Sequence, residues 1–208
     1  MTRSEPTARI KVDLNGELVP EEEARVSVFD RGFLYGDGVF ETLRVYNGRA
    51  FRSQAHWDRL CRSASLIRLD VPFAERDYNE RLERVISANG LMEAVARVTV
   101  SRGVGPPRFT LDYDQRPTTV FSARPFQGYP EELYRDGAKI VVAGTRRNSP
   151  EAVNPAAKSA NFLNSVMARA EAEDEGAFEA VMLNADGFLT EGSITNLFMV
   201  REDELLTP

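Results

Sequence analysis

The fold is decided by the stretch that opens with Lys158-Ser159-Ala160-Asn161-Phe162-Leu163-Asn164-Ser165. It continues through Glu179-Ala180-Val181-Met182-Leu183-Asn184 and closes with Gly187-Phe188-Leu189-Thr190-Glu191-Gly192-Ser193-Ile194-Thr195-Asn196-Leu197-Phe198. Phe162, Leu163, Val166, Met167 and Ala170 recur at helical spacing, so a helix is expected over about 161–175, opened by Lys158 and stopped by Gly176. A strand over 179–184, a turn at Asp186-Gly187 and a strand to 190 read as a hairpin, and 196–201 as a last strand. A lysine at a helix start gains nothing from the dipole, which favours negative charge there. Taken alone, Lys158 reads as an ordinary solvated lysine.

Toward the amino terminus, a strand at 139–143 precedes a loop to Ala157, and Arg124-Pro125-Phe126-Gln127-Gly128-Tyr129-Pro130 is the linker candidate. A boundary there gives a small domain at 1–123, a linker at 124–137 and part of a larger domain at 138–208. Residues 1–8 read as a loose arm. Strands at 9–14 and 17–19 are joined by Asn15-Gly16, and a second pair, 38–46 and onward from Arg49, is joined by Asn47-Gly48. Between these hairpins, Gly32, Gly36 and Gly38 imply a backbone that bends sharply or lies close to something. Helices are expected at 54–67 and 75–89, the second ending at Gly90. A strand at 94–101 points Ala96, Val98 and Val100 one way and Arg97, Thr99 and Ser101 the other, and another strand follows at 118–123. The class is α+β.

Bulk properties exclude more than they assign. With 208 residues, 42% hydrophobic and 28% charged, the chain has the composition of a soluble globular protein. A net charge of −6 argues against a general nucleic-acid surface, although a few arginines can still focus positive potential locally. Cys61 is the single cysteine, so no intramolecular disulfide forms and a reducing cytoplasm is the expected compartment. On an apolar helix face it reads as a small core residue. Met1-Thr2-Arg3-Ser4-Glu5-Pro6 carries no apolar stretch of the secretory kind, and no apolar run is long enough for a bilayer. With His56 the single histidine, zinc sites of the multi-cysteine or His-rich kind and histidine triads are disfavoured, and no metal is expected.

Two further motifs change the weight of Lys158: Tyr35-Gly36-Asp37-Gly38-Val39-Phe40-Glu41 and His56-Trp57-Asp58-Arg59-Leu60. In their order and spacing, and together with the stretch quoted first, they resemble the fold-type IV (class IV) pyridoxal-phosphate enzymes. That group includes branched-chain aminotransferases, D-amino acid aminotransferases and 4-amino-4-deoxychorismate lyases. The resemblance covers nearly the whole chain. It implies a two-domain α+β fold with a small N-terminal α/β domain and a larger β-rich, pseudo-barrel domain.

The resemblance also implies roles. Lys158 would carry pyridoxal 5'-phosphate as a Schiff base, which needs a neutral amine, and lysine pKa values fall readily on burial beside positive charge. The freed amine would then move the proton between the substrate α-carbon and the cofactor. Glu191 would stand against the pyridine nitrogen and keep it protonated. Arg59 would bind the phosphate, for which a guanidinium presents several donors and cannot compete for the aldehyde. Ile194 and Thr195, in a glycine- and hydroxyl-rich turn, would add phosphate donors. His56 reads as structural. Toward the substrate, Arg97 would lie near the cofactor and Phe40 would line the side-chain pocket. Apart from the resemblance, Arg102 and Arg108 flank a loop at 103–107 suited to carrying an arginine that traps a carboxylate, with a plain surface loop the alternative for Arg108. Tyr35 reads as either a pocket residue or core. Amino acids and 2-oxo acids would be the substrates, and a homodimer the assembly.

Two departures stand out. Phe162 occupies a place where many branched-chain aminotransferases have tyrosine. The chain also stops at Leu205-Leu206-Thr207-Pro208, whereas relatives continue for several dozen residues that hold a second phosphate-binding turn. Either the chain is a fragment of the large domain or the sequence ends where order is lost, and a chain truly ending at Pro208 is expected to bind the cofactor weakly. An aminotransferase is the leading expectation; a 4-amino-4-deoxychorismate lyase using the same lysine, and an inactive binding or scaffold module, are the alternatives.

Overall fold

The computed structural model describes residues 10–208; the arm expected over 1–8 and the start of the strand expected from Arg9 lie outside the described residues. Two compact units are present. The first runs to Gln127 and takes in Ala156–Ala160; the second comprises Gly128–Pro155 and Asn161–Pro208.

In the first unit, Asn15 and Gly16 at φ 53° and 94° turn β1 (Lys11–Leu14) back onto β2 (Glu17–Pro20). Both residues at positive φ is the turn that matches strand twist. A short helix, α1 (Arg31–Tyr35), stands where the sequence suggested only a bend, because five residues are too few to show a period. Asp30 caps it by accepting from the Gly32 N–H, and left-handed Gly36 stops it. β3 (Gly38–Tyr46) and β4 (Arg49–Ala50) follow, joined at Asn47-Gly48, and then α2 (Ser53–Leu66), α3 (Glu75–Ala88), β5 (Ala94–Ser101) and β6 (Thr118–Pro125). The sheet is antiparallel throughout, in the order β2-β1-β6-β5-β3-β4.

α2 and α3 contribute Leu60, Ala64, Tyr78, Leu82, Val85 and Ile86 to a core completed by Val39, Leu43 and Val45 of β3 and Ala96, Val98 and Val100 of β5. Each fully buried Val or Leu stabilises by about 1.5–3 kcal/mol. The alternation expected in β5 is present with one exception. Ser101, expected on the polar face, is buried, and its hydroxyl donates to Asp30 at 2.9 Å. Arg102 next to it is 1% exposed and makes a two-point pair with Asp37, both contacts 2.9 Å. It also donates to the carbonyls of Ile67 and Arg68. A buried guanidinium so fully answered fixes the loop that feeds β3.

In the second unit come α4 (Glu131–Asp136), which falls inside the linker expected at 124–137, then β7 (Ile140–Val142), α5 (Leu163–Asp174), β8 (Glu179–Leu183) and β9 (Leu189–Gly192). β8 lies between β7, parallel to it, and β9, antiparallel. Ala168 and Ala172 of α5 meet Ala143, Ala177, Ala180 and Met182 in a second core. β10 (Met199–Arg201) and β11 (Glu204–Leu206) form a final hairpin; the strand expected from 196 begins three residues later. No helix among the described residues is long and apolar enough to cross a membrane.

Candidate active site

Lys158 does not open a helix. α5 starts at Leu163, and Lys158 lies in a strap, Ala156–Ala160, that bridges to β3 at Val39 in the first unit. The Phe40 N–H donates to the Lys158 carbonyl at 3.0 Å, and the Ala160 N–H donates to the Gly38 carbonyl at 2.9 Å. Ser159 bridges Val39, and the Lys158 N–H donates to the Ser63 hydroxyl at 3.1 Å. Bonds on both sides of the residue therefore fix where its side chain leaves the backbone. Gly38 itself is pressed against β5 on the other side: a Cβ there would lie 2.8 Å from the Val100 carbonyl oxygen.

The Lys158 ammonium sits 4.6 Å from the Phe40 ring centroid, and the Arg97 guanidinium 3.7 Å from the same centroid. Phe40 is 4% exposed. Two cations thus share one buried ring, whose face attracts positive charge. Arg97 keeps part of its side chain in solvent, but burial of the rest pulls its pKa below the ordinary arginine value, and no charged partner offsets that among the described residues.

Arg59 and His56, one turn apart on α2, meet Glu41 of β3. Arg59 donates from Nε and Nη2 to the two carboxylate oxygens, each at 2.6 Å, and His56 Nδ1 donates to Oε2 at 2.8 Å. Glu41 is fully buried, whereas the Arg59 side chain is 46% exposed. Burial alone would raise the Glu41 pKa; the hydrogen bonds and charges of Arg59 and His56 outweigh it and hold the carboxyl below its usual range. The sequence reading took Glu41 only as a motif letter. The signal was present, since a carboxylate in phase with Val39, Leu43 and Val45 is in the buried register of the strand.

Tyr35 and Arg108 belong to a different cluster in the same unit. Tyr35 packs on Phe109 with ring centroids 5.0 Å apart and carries the Arg31 guanidinium 5.2 Å from its own centroid. The Arg108 carbonyl accepts from Arg31 at 3.1 Å, and the Arg108 side chain is exposed. The loop carrying Arg108 is therefore tethered through its backbone.

In the second unit Glu191, at the end of β9, pairs with Arg147 at 2.5 Å, a partner the sequence reading missed. The following turn is organised by Glu179, also missed, which is 3% exposed. Its carboxylate accepts from the Ser193 hydroxyl, the Ser193 N–H at 3.2 Å, the Thr195 hydroxyl at 2.9 Å and the Ile194 N–H at 3.4 Å. Burial pushes its pKa up, and these donors more than reverse the shift. The expectation that Ile194 and Thr195 give these groups to a phosphate thus meets a competing acceptor: both already face a buried carboxylate that needs them. The Ile194 side chain is 70% exposed.

The family model described as "Amino-transferase class IV" matches residues 38–208. A putative branched-chain-amino-acid aminotransferase of Methanocaldococcus jannaschii is 39% identical over 96% of this chain and 68% of its own length. A D-alanine aminotransferase of Bacillus licheniformis is 31% identical over 95% of this chain and 68% of its own. An aminodeoxychorismate lyase of Bacillus subtilis is 31% identical over 94% of this chain and 66% of its own. Among solved structures, the branched-chain aminotransferase of Thermoproteus uzoniensis with norvaline superimposes at a TM-score of 0.86, with 36% identity, over 96% of this chain and 68% of that one. A second branched-chain amino acid aminotransferase, solved with pyridoxamine 5'-phosphate, gives 0.90 at 30% identity, over 96% and 67%. The chain spans about two thirds of the length of these proteins and shares their fold. On sequence and structure alike, it belongs to the class IV amino-transferase family.

Proposed function

We propose that this chain uses pyridoxal 5'-phosphate to move an amino group between an amino acid and a 2-oxo acid. The observation that carries the reading is the strap holding Lys158 by backbone on both sides, with its amine on Phe40 beside an arginine that no carboxylate among the described residues answers. The residues fit the cofactor: a primary amine for an aldehyde, a half-exposed arginine for a phosphate and a carboxylate for a ring N–H. When bound, the cofactor supplies an electron-withdrawing ring that takes up negative charge from the substrate α-carbon.

The remaining work falls to the chain. The Lys158 amine would hold the cofactor and, once freed from it, would take the proton from the substrate α-carbon. Arg59 binds the phosphate through the edge that Glu41 leaves open. Glu191, whose Oε1 accepts from Arg147, offers Oε2 to the ring N–H. Arg97 takes the substrate carboxylate, Phe40 is the platform for the reacting part of the substrate, and Tyr35 and Arg108 border the substrate entrance. A branched-chain L-amino acid or a D-amino acid is the donor class, and a homodimer the working assembly.

The test is borohydride reduction of protein incubated with pyridoxal phosphate, followed by peptide mass mapping and a donor screen with L-leucine and D-alanine. The expected outcome is a phosphopyridoxyl adduct on Lys158 and donor-dependent bleaching of the cofactor band. Release of pyruvate from 4-amino-4-deoxychorismate without bleaching by either donor assigns the lyase reaction instead. No adduct at Lys158 overturns the reading.

A further inference from the structure

β3 carries a carboxylate where its pattern calls for an apolar side chain. Val39, Glu41, Leu43 and Val45 share the buried phase, and Glu41 is 0% exposed. An ionised carboxylate in that position is costly unless charges and hydrogen bonds answer it, and a well-packed apolar residue would avoid the cost. α2 answers it with His56 and Arg59. The Arg59 pair is side-on and two-point, which fixes the guanidinium plane as a single contact does not. No hydrogen bond is made by the Arg59 Nη1 edge among the described residues, and the side chain is 46% exposed. One side of the guanidinium is locked and the other is presented to solvent. His56 adds a brace at Oε2.

We propose that Glu41 is a positioning residue for anion capture. Braced by His56, it aims the open edge of Arg59 and so makes the chain prefer a phosphorylated pyridoxal over an unphosphorylated one. This rests on the reading of Arg59 as the phosphate ligand. The proposal has a sign opposite to simple electrostatics. Glu41 offsets part of the arginine's charge, so if charge alone mattered, removing the carboxylate would tighten phosphate binding. If aim matters more, removal weakens it.

The test compares dissociation constants of the whole 208-residue chain for pyridoxal phosphate and for pyridoxal, measured by equilibrium dialysis, in wild type, Glu41→Gln, Arg59→Ala and the double variant. Both ligands present the same aldehyde, so their ratio isolates the phosphate. Glu41→Gln should weaken pyridoxal phosphate roughly 10-fold or more and leave pyridoxal unchanged. In the Arg59→Ala background it should do nothing further. Tighter or unchanged pyridoxal phosphate binding, or an equal loss for both ligands, overturns the positioning role. A wild type that does not prefer the phosphorylated ligand, or an Arg59→Ala variant that keeps the preference, strikes the phosphate reading itself and this inference with it. Should Glu41→Gln not fold, Glu41→Asp makes the same comparison with a carboxylate too short for both nitrogens, and an intermediate loss confined to pyridoxal phosphate is expected.

Discussion

Arg97 carries a charge that no carboxylate among the described residues answers, and it rests on the ring that also receives the Lys158 ammonium. A guanidinium kept in that condition costs desolvation, which a substrate carboxylate offsets on binding. Arg97→Met keeps most of the side-chain stem and removes the charge. We expect the KM for the amino donor to rise roughly 10–100-fold with little change in kcat, because the lost contact is the same in ground and transition states. Steady-state kinetics with the preferred donor check this; an unchanged KM would place the substrate carboxylate elsewhere. Lys158 illustrates what one residue can and cannot announce. Its identity as the candidate anchor was legible from the ordered motifs around it, but its local setting was not. The apolar spacing of 162–170 is helical, and nothing in that spacing says that Ala156–Ala160 instead form a strap hydrogen-bonded to β3.

At the scale of elements, the β8–β9 hairpin and the turn after it depend on one buried carboxylate. A Cβ on Gly192 would lie 2.1 Å from the Thr195 hydroxyl oxygen and 3.1 Å from Glu179 Oε2, so the turn closes over Glu179 only with glycine at that position. Gly192→Ala should therefore destabilise the protein by about 1–3 kcal/mol through forced displacement of the turn. Glu179→Ala should cost at least about 2 kcal/mol, since it strands several donors in a buried place. Urea unfolding followed by circular dichroism measures both. Because the two residues share the same turn, the double variant should cost less than the sum. If the losses add fully, Glu179 and Gly192 do not act as one unit. The hairpin itself was legible: Asn184, Asp186 and Gly187 are turn chemistry, and Gly187 sits at φ 88°. The short helices α1 and α4 were not, because one or two turns of helix leave no readable period.

Across the whole molecule, three carboxylates of the first unit, Asp13 and Glu41 buried and Asp37 partly buried, set the response to acid. Burial would raise the pKa of each of Asp13, Asp37 and Glu41. Arginine hydrogen bonds outweigh it, from Arg81 and Arg84 on Asp13, Arg102 and Arg31 on Asp37, and Arg59 with His56 on Glu41. A depressed carboxyl contributes stability that is fully present above its unfolded value, here 3.8 for the aspartates and 4.5 for the glutamate, and that is lost as pH falls through the lower folded value. Stability should thus hold from neutral down to about pH 5 and then decline, with Asp37→Asn less stable at pH 7 and less sensitive to acid. Denaturant unfolding at a series of pH values tests it; a wild type equally stable at about pH 7 and about pH 3 would contradict the assignment. By itself the sequence determined the hairpin turns, the two long helices, the alternation of β5 and the ordered motifs that mark the family, because each is written in residues close together along the chain. Only the tertiary structure decided who answers whom: Arg59 with Glu41 across 18 positions, Arg147 with Glu191 across 44, and Glu179 beneath the turn that was expected to meet a phosphate. Periodicity reports neighbours within a few residues, whereas a buried charge takes its partner from whatever the crossing chain brings to it.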